Sequence, residues 1–230
     1  MSSSGTRKVQ RYLKQTQDLF GDDLYLTNRF TVNTETSENN ISGSLTDFEN
    51  KVNTCQECSL GQTRNQFVFG VGDPHANLLL VGEAPGAEED RLGEPFVGRA
   101  GKLLDKILAA IQRSRRNDVY ICNVLKCRPP GNRDPLQSEV AECEGYLIDQ
   151  IRLIKPKLIV ALGRVAGKTL LKMDLPLKAM RGTQYDYHGT PLIVTYHPAA
   201  LLRNEGLKYN TWEDFKWIRT FLDGENKSGE

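Results

Sequence analysis

The chain has 230 residues, with 30 lysines and arginines against 29 acidic residues and a formal net charge of +1. Hydrophobic residues make up 39% of it and charged residues 26%, a composition typical of a soluble globular protein with one sizeable core. It contains no secretory h-region and no apolar run long enough to span a bilayer. We therefore expect no membrane partner and a cytoplasmic location, where thiols stay reduced.

The first 45 residues differ in composition from the rest. Residues 8–20 carry a few apolar side chains amid charge, and residues 31–44 are polar. This pattern predicts a short, weakly anchored helix and then a linker. We therefore predict an N-terminal extension over 1–45 that is partly helical and partly disordered, a folded domain over 46–225 and a disordered tail over 226–230.

Four short apolar runs predict the strands of one sheet. They cover residues 77–82, 119–125, 156–163 and 191–196. Continuous apolar runs bounded by glycine or proline are typical of parallel strands that are buried on both faces. Residues 185–188, joined to the last run through Gly189, could form a hairpin with it at the sheet edge.

Helical patterns alternate with these strands and cover residues 103–111, 135–154 and 165–171. The second has a favourable start, with Asp134 as the cap, Pro135 at the first helical position and Gln137 able to complete a capping box. The alternation predicts an α/β fold, a three-layer αβα sandwich around a mainly parallel four-stranded sheet.

Four of the five cysteines have a spacing that suits a metal site. Cys55 and Cys58 form a C-x-x-C pair, and Cys127 and Cys143 follow singly. In a reducing compartment disulfides are the weaker interpretation, and the spacing leaves a four-cysteine zinc site and a [4Fe–4S] cluster both open. Cys122 lies within an apolar run, which predicts a buried core residue.

Positive charge is concentrated in one stretch of the chain. Between positions 98 and 133 there are two acidic residues and nine lysines or arginines: Arg99, Lys102, Lys106, Arg113, Arg115, Arg116, Lys126, Arg128 and Arg133. This predicts a basic surface that suits a nucleic acid. A solvated helix face, balanced by acidic segments elsewhere, explains the charge equally well.

Polar segments rich in glycine and proline follow three of the predicted strands. They are residues 82–86, Asn123 with residues 126–130, and residues 197–203. The carboxyl ends of parallel strands meet at one edge of the sheet, where ligands bind in open α/β folds. These segments are therefore expected to form one site.

The same segments resemble the family 4 uracil-DNA glycosylases. Gly-Glu-Ala-Pro-Gly at 82–86, with Glu-Asp at 89–90 and Gly-Glu-Pro-Phe-Val-Gly at 93–98, is similar to the first active-site motif of that family, and His-Pro-Ala-Ala-Leu-Leu-Arg at 197–203 is similar to the second. The resemblance covers residues 48–221 in order. It implies a monomeric DNA repair enzyme that hydrolyses uracil from single- or double-stranded DNA and leaves an abasic site.

The resemblance also extends to the cysteines. Family members hold a [4Fe–4S] cluster through a C-x-x-C near the start of the domain, a cysteine in a Lys-Cys-Arg-Pro-Pro stretch and a cysteine in the following helix. Cys55, Cys58, Cys127 and Cys143 match these positions. The resemblance therefore implies a [4Fe–4S] cofactor on these four residues.

Cutting a base from DNA requires that it leave the stack and enter a pocket with an aromatic ring and polar groups for its edge. By resemblance, Phe96 stacks on uracil, Asn123 reads it, and Gly82 and Ala84 belong to the pocket. Uracil presents an N3–H donor beside the O4 acceptor, which an amide complements, whereas cytosine reverses both. Without the resemblance, Phe96 would be a core aromatic and Asn123 a turn former.

The leaving uracil carries negative charge on O2, so a hydrogen-bond donor aimed at O2 lowers the barrier. His197 is the candidate donor because it matches the second motif. An isolated histidine before a proline would instead be a surface loop residue, which is what we expect for His75 and His188.

The group that activates water is left open. The first family of uracil-DNA glycosylases uses an aspartate at the position held here by Ala84, so Glu83 and Glu89 remain as candidates. A cation-like sugar needs little base help, so neither is favoured. Gly86 replaces the tyrosine with which that family excludes the thymine methyl, so another group must do so here.

Leu201 and Leu202 are predicted to fill the gap in the duplex where the base leaves, with Arg203 on a flanking phosphate. Both leucines could instead be the buried turn of a short helix.

Three other interpretations compete with uracil hydrolysis. A related group of proteins bonds covalently to abasic sites through a histidine in an inserted basic loop, but residues 127–135 contain neither the histidine nor an insertion. A non-catalytic DNA-binding module would need no His197 or Asn123 chemistry. A zinc-ribbon protein would use the same four cysteines.

Overall fold

The computed structural model describes residues 43–225. The predicted helix over 8–20, nearly all of the predicted linker and the tail over 226–230 lie outside the described residues. No helix between residues 43 and 225 combines the length and the apolar character that crossing a membrane would require.

Helices and strands alternate along the described chain. In order they are α1 (Leu45–Val52), α2 (Leu60–Thr63), β1 (Val71–Gly72), β2 (Leu78–Gly82), α3 (Ala87–Leu92), α4 (Arg99–Ala110), β3 (Val119–Asn123), a 3₁₀ turn (Pro130–Asn132), α5 (Gln137–Ile154), β4 (Leu158–Leu162), α6 (Arg164–Leu171), α7 (Leu177–Met180), β5 (Tyr185–Tyr187), β6 (Thr190–Thr195), α8 (Pro198–Arg203) and α9 (Leu207–Glu225).

The strands form one sheet in the order β1-β3-β2-β4-β6-β5. The four central strands pair in parallel, as predicted, while β1 and β5 pair antiparallel at the two edges. The sheet therefore has six strands and not four. The β5–β6 hairpin confirms the prediction, whereas β1 has only two residues and leaves no pattern in the sequence.

Helices cover both faces of the sheet. Leu79 and Val81 of β2 pack on one face with residues of α5 such as Leu147. Leu78 and Leu80 point to the other face, where they pack with α4 and α9. Successive side chains of a strand point to opposite faces, so the continuous apolar runs fill two cores. The predicted three layers are confirmed.

The predicted start of the helix at Pro135 is wrong by two residues. Helix α5 begins at Gln137. The Glu139 carboxylate accepts a hydrogen bond from the Leu136 N–H at 2.9 Å and binds the Arg133 guanidinium. The N-terminus of α5 is thus capped by Glu139, a residue of the helix itself. Asp134, the predicted cap, is exposed.

The carboxyl ends of the parallel strands lie level with one another. Gly82 at the end of β2 is paired with Asn123 at the end of β3, and Leu162 of β4 is paired with Thr195 of β6. Every segment that follows these strands therefore starts from the same edge.

Candidate active site

A cavity of about 530 Å³ opens at this edge, within the size range typical of ligand sites. Of the predicted site residues, Glu83, Ala84, Glu89, Phe96, Asn123, His197 and Arg203 line it. The sequence interpretation missed Gly163 and Arg164 after β4 and residues 132–134 after the 3₁₀ turn, which also line it. The glycine that ends the third apolar run is the signal that could have indicated the β4 segment.

Gly82 lies directly behind the cavity, between two of its side chains. A Cβ at position 82 would be 2.2 Å from Asn123 Oδ1 and 2.8 Å from Phe96 Cζ. Only a residue without a side chain lets the amide and the ring lie this close to the end of β2.

Asn123 presents its amide to the cavity. The residue is 2% exposed, yet within residues 43–225 its side chain has no hydrogen-bond partner. An amide out of bulk water is costly unless it is hydrogen-bonded. Its donor and its acceptor are thus available to a ligand.

Phe96 adopts an unusual backbone conformation. Its φ is +55°, and a bulky residue held in this left-handed region costs about 1–3 kcal/mol. The ring is buried and lies 5.4 Å from the His197 ring, between centroids, with an interplanar angle of 31°. The two rings form adjoining parts of the cavity wall.

His197 caps the N-terminus of α8. Its Nδ1 accepts a hydrogen bond from the Ala199 N–H at 3.1 Å, so the neutral imidazole carries its proton on Nε2. Burial lowers the pKa of His197 to about 4, helped by the charge of Arg203 and opposed by that of Glu89. At neutral pH the residue is an uncharged Nε2–H donor.

The two candidate glutamates differ in their surroundings. Glu89 Oε1 accepts hydrogen bonds from the backbone N–H groups of Val97 at 3.0 Å and Gly98 at 3.2 Å. The Glu83 carboxylate has no such partner among residues 43–225. Burial raises the pKa of Glu83 to about 7, with a contribution from Asp134 that the positive charge of Arg164 opposes.

Glu89 also fills the space beside Gly86. Its Oε2 would be 2.7 Å from a Cβ at position 86. A carboxylate oxygen from α3 therefore occupies the part of the cavity wall that a side chain at position 86 would form.

The two leucines predicted to act together lie next to each other in α8 but point in different directions. Leu201 is 1% exposed and Leu202 is 41% exposed. Adjacent residues of a helix point about 100° apart, so one faces the core and the other faces outward. Leu201 cannot act as a wedge in this structure, which is a correction to the predicted pair.

The four predicted metal-binding cysteines line one recess together with Arg64 and Tyr146. The Arg64 guanidinium donates a hydrogen bond to Cys127 Sγ, and the Lys126 N–H donates one to Cys143 Sγ, both at 3.3 Å. Cys122 lies apart from them in the core, as predicted. In the described part of the chain no group of three or more His, Cys, Asp or Glu is arranged so that it could hold a metal ion.

Five of the nine clustered cations bind other residues of the protein through their side chains. They are Arg113, Arg115, Lys126, Arg128 and Arg133. Arg99, Lys102 and Lys106 are exposed on α4 and pair with no acid among residues 43–225. The predicted basic surface is therefore narrower than the sequence indicates.

Comparisons with known proteins agree with this geometry. The family model of the Uracil DNA glycosylase superfamily matches residues 69–217. The chain is 45% identical over 183 residues to the type-4 uracil-DNA glycosylase of Archaeoglobus fulgidus, covering 76% of this chain and 92% of that protein. It is 43% identical over 205 residues to that of Sulfurisphaera tokodaii (80% and 93% covered) and 42% identical over 179 residues to that of Thermotoga maritima (76% and 93%). The family match spans every cavity residue.

Proposed function

The chain belongs to the type-4 uracil-DNA glycosylases, and from this we propose that it hydrolyses the N-glycosidic bond of uracil in DNA and leaves an abasic site. The observation that carries the proposal is the cavity at the strand ends. There the amide of Asn123, which has no partner within residues 43–225, converges with the ring of Phe96 and the neutral imidazole of His197. These are the groups that an extruded base requires.

Asn123 selects the base by its amide. Its Nδ2–H donates to uracil O4 while its Oδ1 accepts from N3–H. Cytosine presents a donor and an acceptor in the reverse positions, so the same amide orientation rejects it. Phe96 stacks on the face of the base.

His197 stabilises the departing base. As the C1′–N1 bond breaks, its electron pair moves into the uracil ring and charge collects on O2. The Nε2–H donates to that oxygen, and since the imidazole is neutral it does so without titrating near pH 7.

Glu83 and Glu89 have separate roles in this proposal. Glu83, whose carboxylate accepts no hydrogen bond from residues 43–225, orients the water that attacks C1′ and accepts its proton. Glu89 is engaged with the backbone of the Phe96 loop and acts as a positioning residue. Its Oε2 beside Gly86 supplies the bulk that excludes the thymine methyl.

Leu202 is the residue that fills the gap left by the base, with Arg203 on a neighbouring phosphate. Leu201 has no part in this. The exposed cations of α4 supply further phosphate contacts, on duplex or single-stranded DNA.

Cys55, Cys58, Cys127 and Cys143 are proposed to hold a [4Fe–4S] cluster. The support is the chemistry of the recess, which four thiols line and where two N–H groups donate hydrogen bonds to sulfur. Bound there, the cluster would tie the start of the domain to α5. The monomeric state and the cytoplasmic location remain predictions.

The test is uracil release from labelled U·G, U·A and single-stranded oligonucleotides by protein of known iron content. Release with a cleavable abasic product supports the proposal. Binding of the same oligonucleotides without release would instead favour the non-catalytic DNA-binding module. Asn123→Asp should release less uracil, since the amide donor to O4 is lost, and unchanged release would remove Asn123 from base recognition.

A further inference from the structure

Arg115 contacts the segment that carries the stacking ring. It lies in the loop between α4 and β3. Its Nη1 donates to the Pro95 carbonyl and its Nη2 to the Phe96 carbonyl, each at 3.0 Å. The two terminal nitrogens of the planar guanidinium thus bind two consecutive carbonyls of one loop.

Glu89 holds the same loop from its other end. It accepts from the N–H groups of Val97 and Gly98. The Glu89 carboxylate therefore binds the two backbone N–H groups that follow Phe96. The Arg115 guanidinium binds the carbonyl of Phe96 and that of the residue before it. The left-handed conformation of Phe96 lies between these two fixed points.

The Phe96 carbonyl is seated against α4. A Cβ at Gly101 would be 1.6 Å from the Phe96 oxygen, so the loop can approach only because that helix residue has no side chain. Arg115 Nε also donates to Asp105 Oδ1 on α4 at 2.9 Å. The guanidinium therefore fixes the loop to the helix from which Asp105 projects.

We propose that Arg115 is a positioning residue for uracil recognition, which holds Phe96 in its strained conformation so that the ring is in place before the base enters. The inference rests on the proposed function of Phe96 as the stacking ring. Without Arg115 the backbone at position 96 relaxes towards ordinary φ values, and the ring leaves the position from which it stacks.

The test compares Arg115→Ala with Arg116→Ala, which removes the same charge from the next residue, whose side chain is exposed. Arg115→Ala should lower both the single-turnover rate and the affinity for free uracil by about tenfold to a hundredfold, because two charge-assisted hydrogen bonds are lost. Arg116→Ala should leave both readouts at the wild-type level.

A double-mutant cycle separates positioning from general damage. If Arg115 acts through Phe96, Arg115→Ala should have almost no further effect on either readout in a Phe96→Ala background. Full additivity of the two changes would overturn the inference, as would wild-type uracil affinity in Arg115→Ala. Arg115→Lys should not restore activity, since an ammonium cannot bind both carbonyls as a planar fork.

Asp105→Asn guards against a variant that fails to fold, because this side chain is half exposed and, among residues 43–225, hydrogen-bonds to Arg115 and not to the loop. It should reduce uracil affinity in the same direction but less, and only when Phe96 is present. An Asp105→Asn effect that persists in Phe96→Ala would count against the inference. If the wild type itself releases no uracil, the proposed function is wrong. If the wild type releases uracil and Arg115→Ala has the same single-turnover rate and uracil affinity, only the proposed role of Arg115 is wrong.

Discussion

Gly82 and Asn123 are paired neighbours at the ends of β2 and β3, and the Asn123 amide oxygen occupies the space that a side chain at position 82 would need. The glycine therefore determines where the base-reading amide can lie. A methyl group at position 82 must displace both the Asn123 amide and the Phe96 ring, and both are proposed to contact uracil.

Gly82→Ala should abolish most uracil release while costing about 1–3 kcal/mol of folding stability, the usual penalty for overpacking. The matched control is Gly145→Ala in α5, where a Cβ would meet nothing within 4 Å. That change should keep full activity and stabilise the protein by about 0.5–1 kcal/mol. Single-turnover rates and urea unfolding measure both. Normal activity in Gly82→Ala would mean that the amide is not used.

His197→Ala should lower single-turnover cleavage by about 10²–10³ on duplex and single-stranded substrates alike, because charge forms on O2 whether or not the DNA is paired. Binding of DNA should change little. The measurement is cleavage at saturating enzyme. A near-wild-type rate would transfer the donor role to another group.

Uracil release should increase as the pH rises through about 7, since Glu83 must lose its proton before it can accept one from water. In Glu83→Gln the rate should be low and should not vary around pH 7. A pH profile of single-turnover rates for both proteins decides this, and a profile retained by Glu83→Gln would assign the titration to another group.

The raised pKa of Glu83 also predicts how the stability of the fold depends on pH. Its pKa is higher in the folded than in the unfolded protein, so it favours folding at low pH, and this stability is lost as pH rises through about 7. At pH 8 Glu83→Gln should therefore unfold at a higher temperature than the wild type. His197, with its lowered pKa, is neutral in both states at that pH and does not interfere.

The two leucines of α8 should fail in different ways. Leu202→Ala should slow cleavage of duplex substrates more than that of single strands, where no gap has to be filled. Leu201→Ala should instead cost about 2–5 kcal/mol of stability, as for other buried leucines, with no preference between substrates. Equal losses on both substrates in Leu202→Ala would contradict the wedge role.

Protein purified without oxygen should be brown and contain about four irons per chain, as a four-cysteine [4Fe–4S] site requires. Cys55→Ala or Cys143→Ala should lose iron and melt at a lower temperature. Cys122→Ala is the control, because this residue lies in the core away from the recess, and it should keep its iron. Zinc in place of iron would contradict the cluster.

Much of the fold could be predicted from the sequence because strands buried on both faces leave continuous apolar runs. The start of α5 could not be predicted in this way. Asp134 and Pro135 are typical of a helix start, but the helix begins later because Glu139 accepts a hydrogen bond from the Leu136 N–H. Residues that act through backbone contacts were also missed. Arg115 counted as one of many surface cations, although it binds two carbonyls of the Phe96 loop. Sequence patterns report burial and charge but not which carbonyl a guanidinium meets.

The parallel order of the four central strands also determines when the cavity can exist during folding. Each parallel pair closes a long crossover, and such non-local pairing is intrinsically slow. Gly82 and Asn123 end β2 and β3, and Gly163 and His197 follow β4 and β6, so the cavity requires the whole span of the chain from residue 82 to residue 203. After dilution from denaturant, uracil release should therefore recover only when the sheet is complete. The chain becomes active in a single late step of folding.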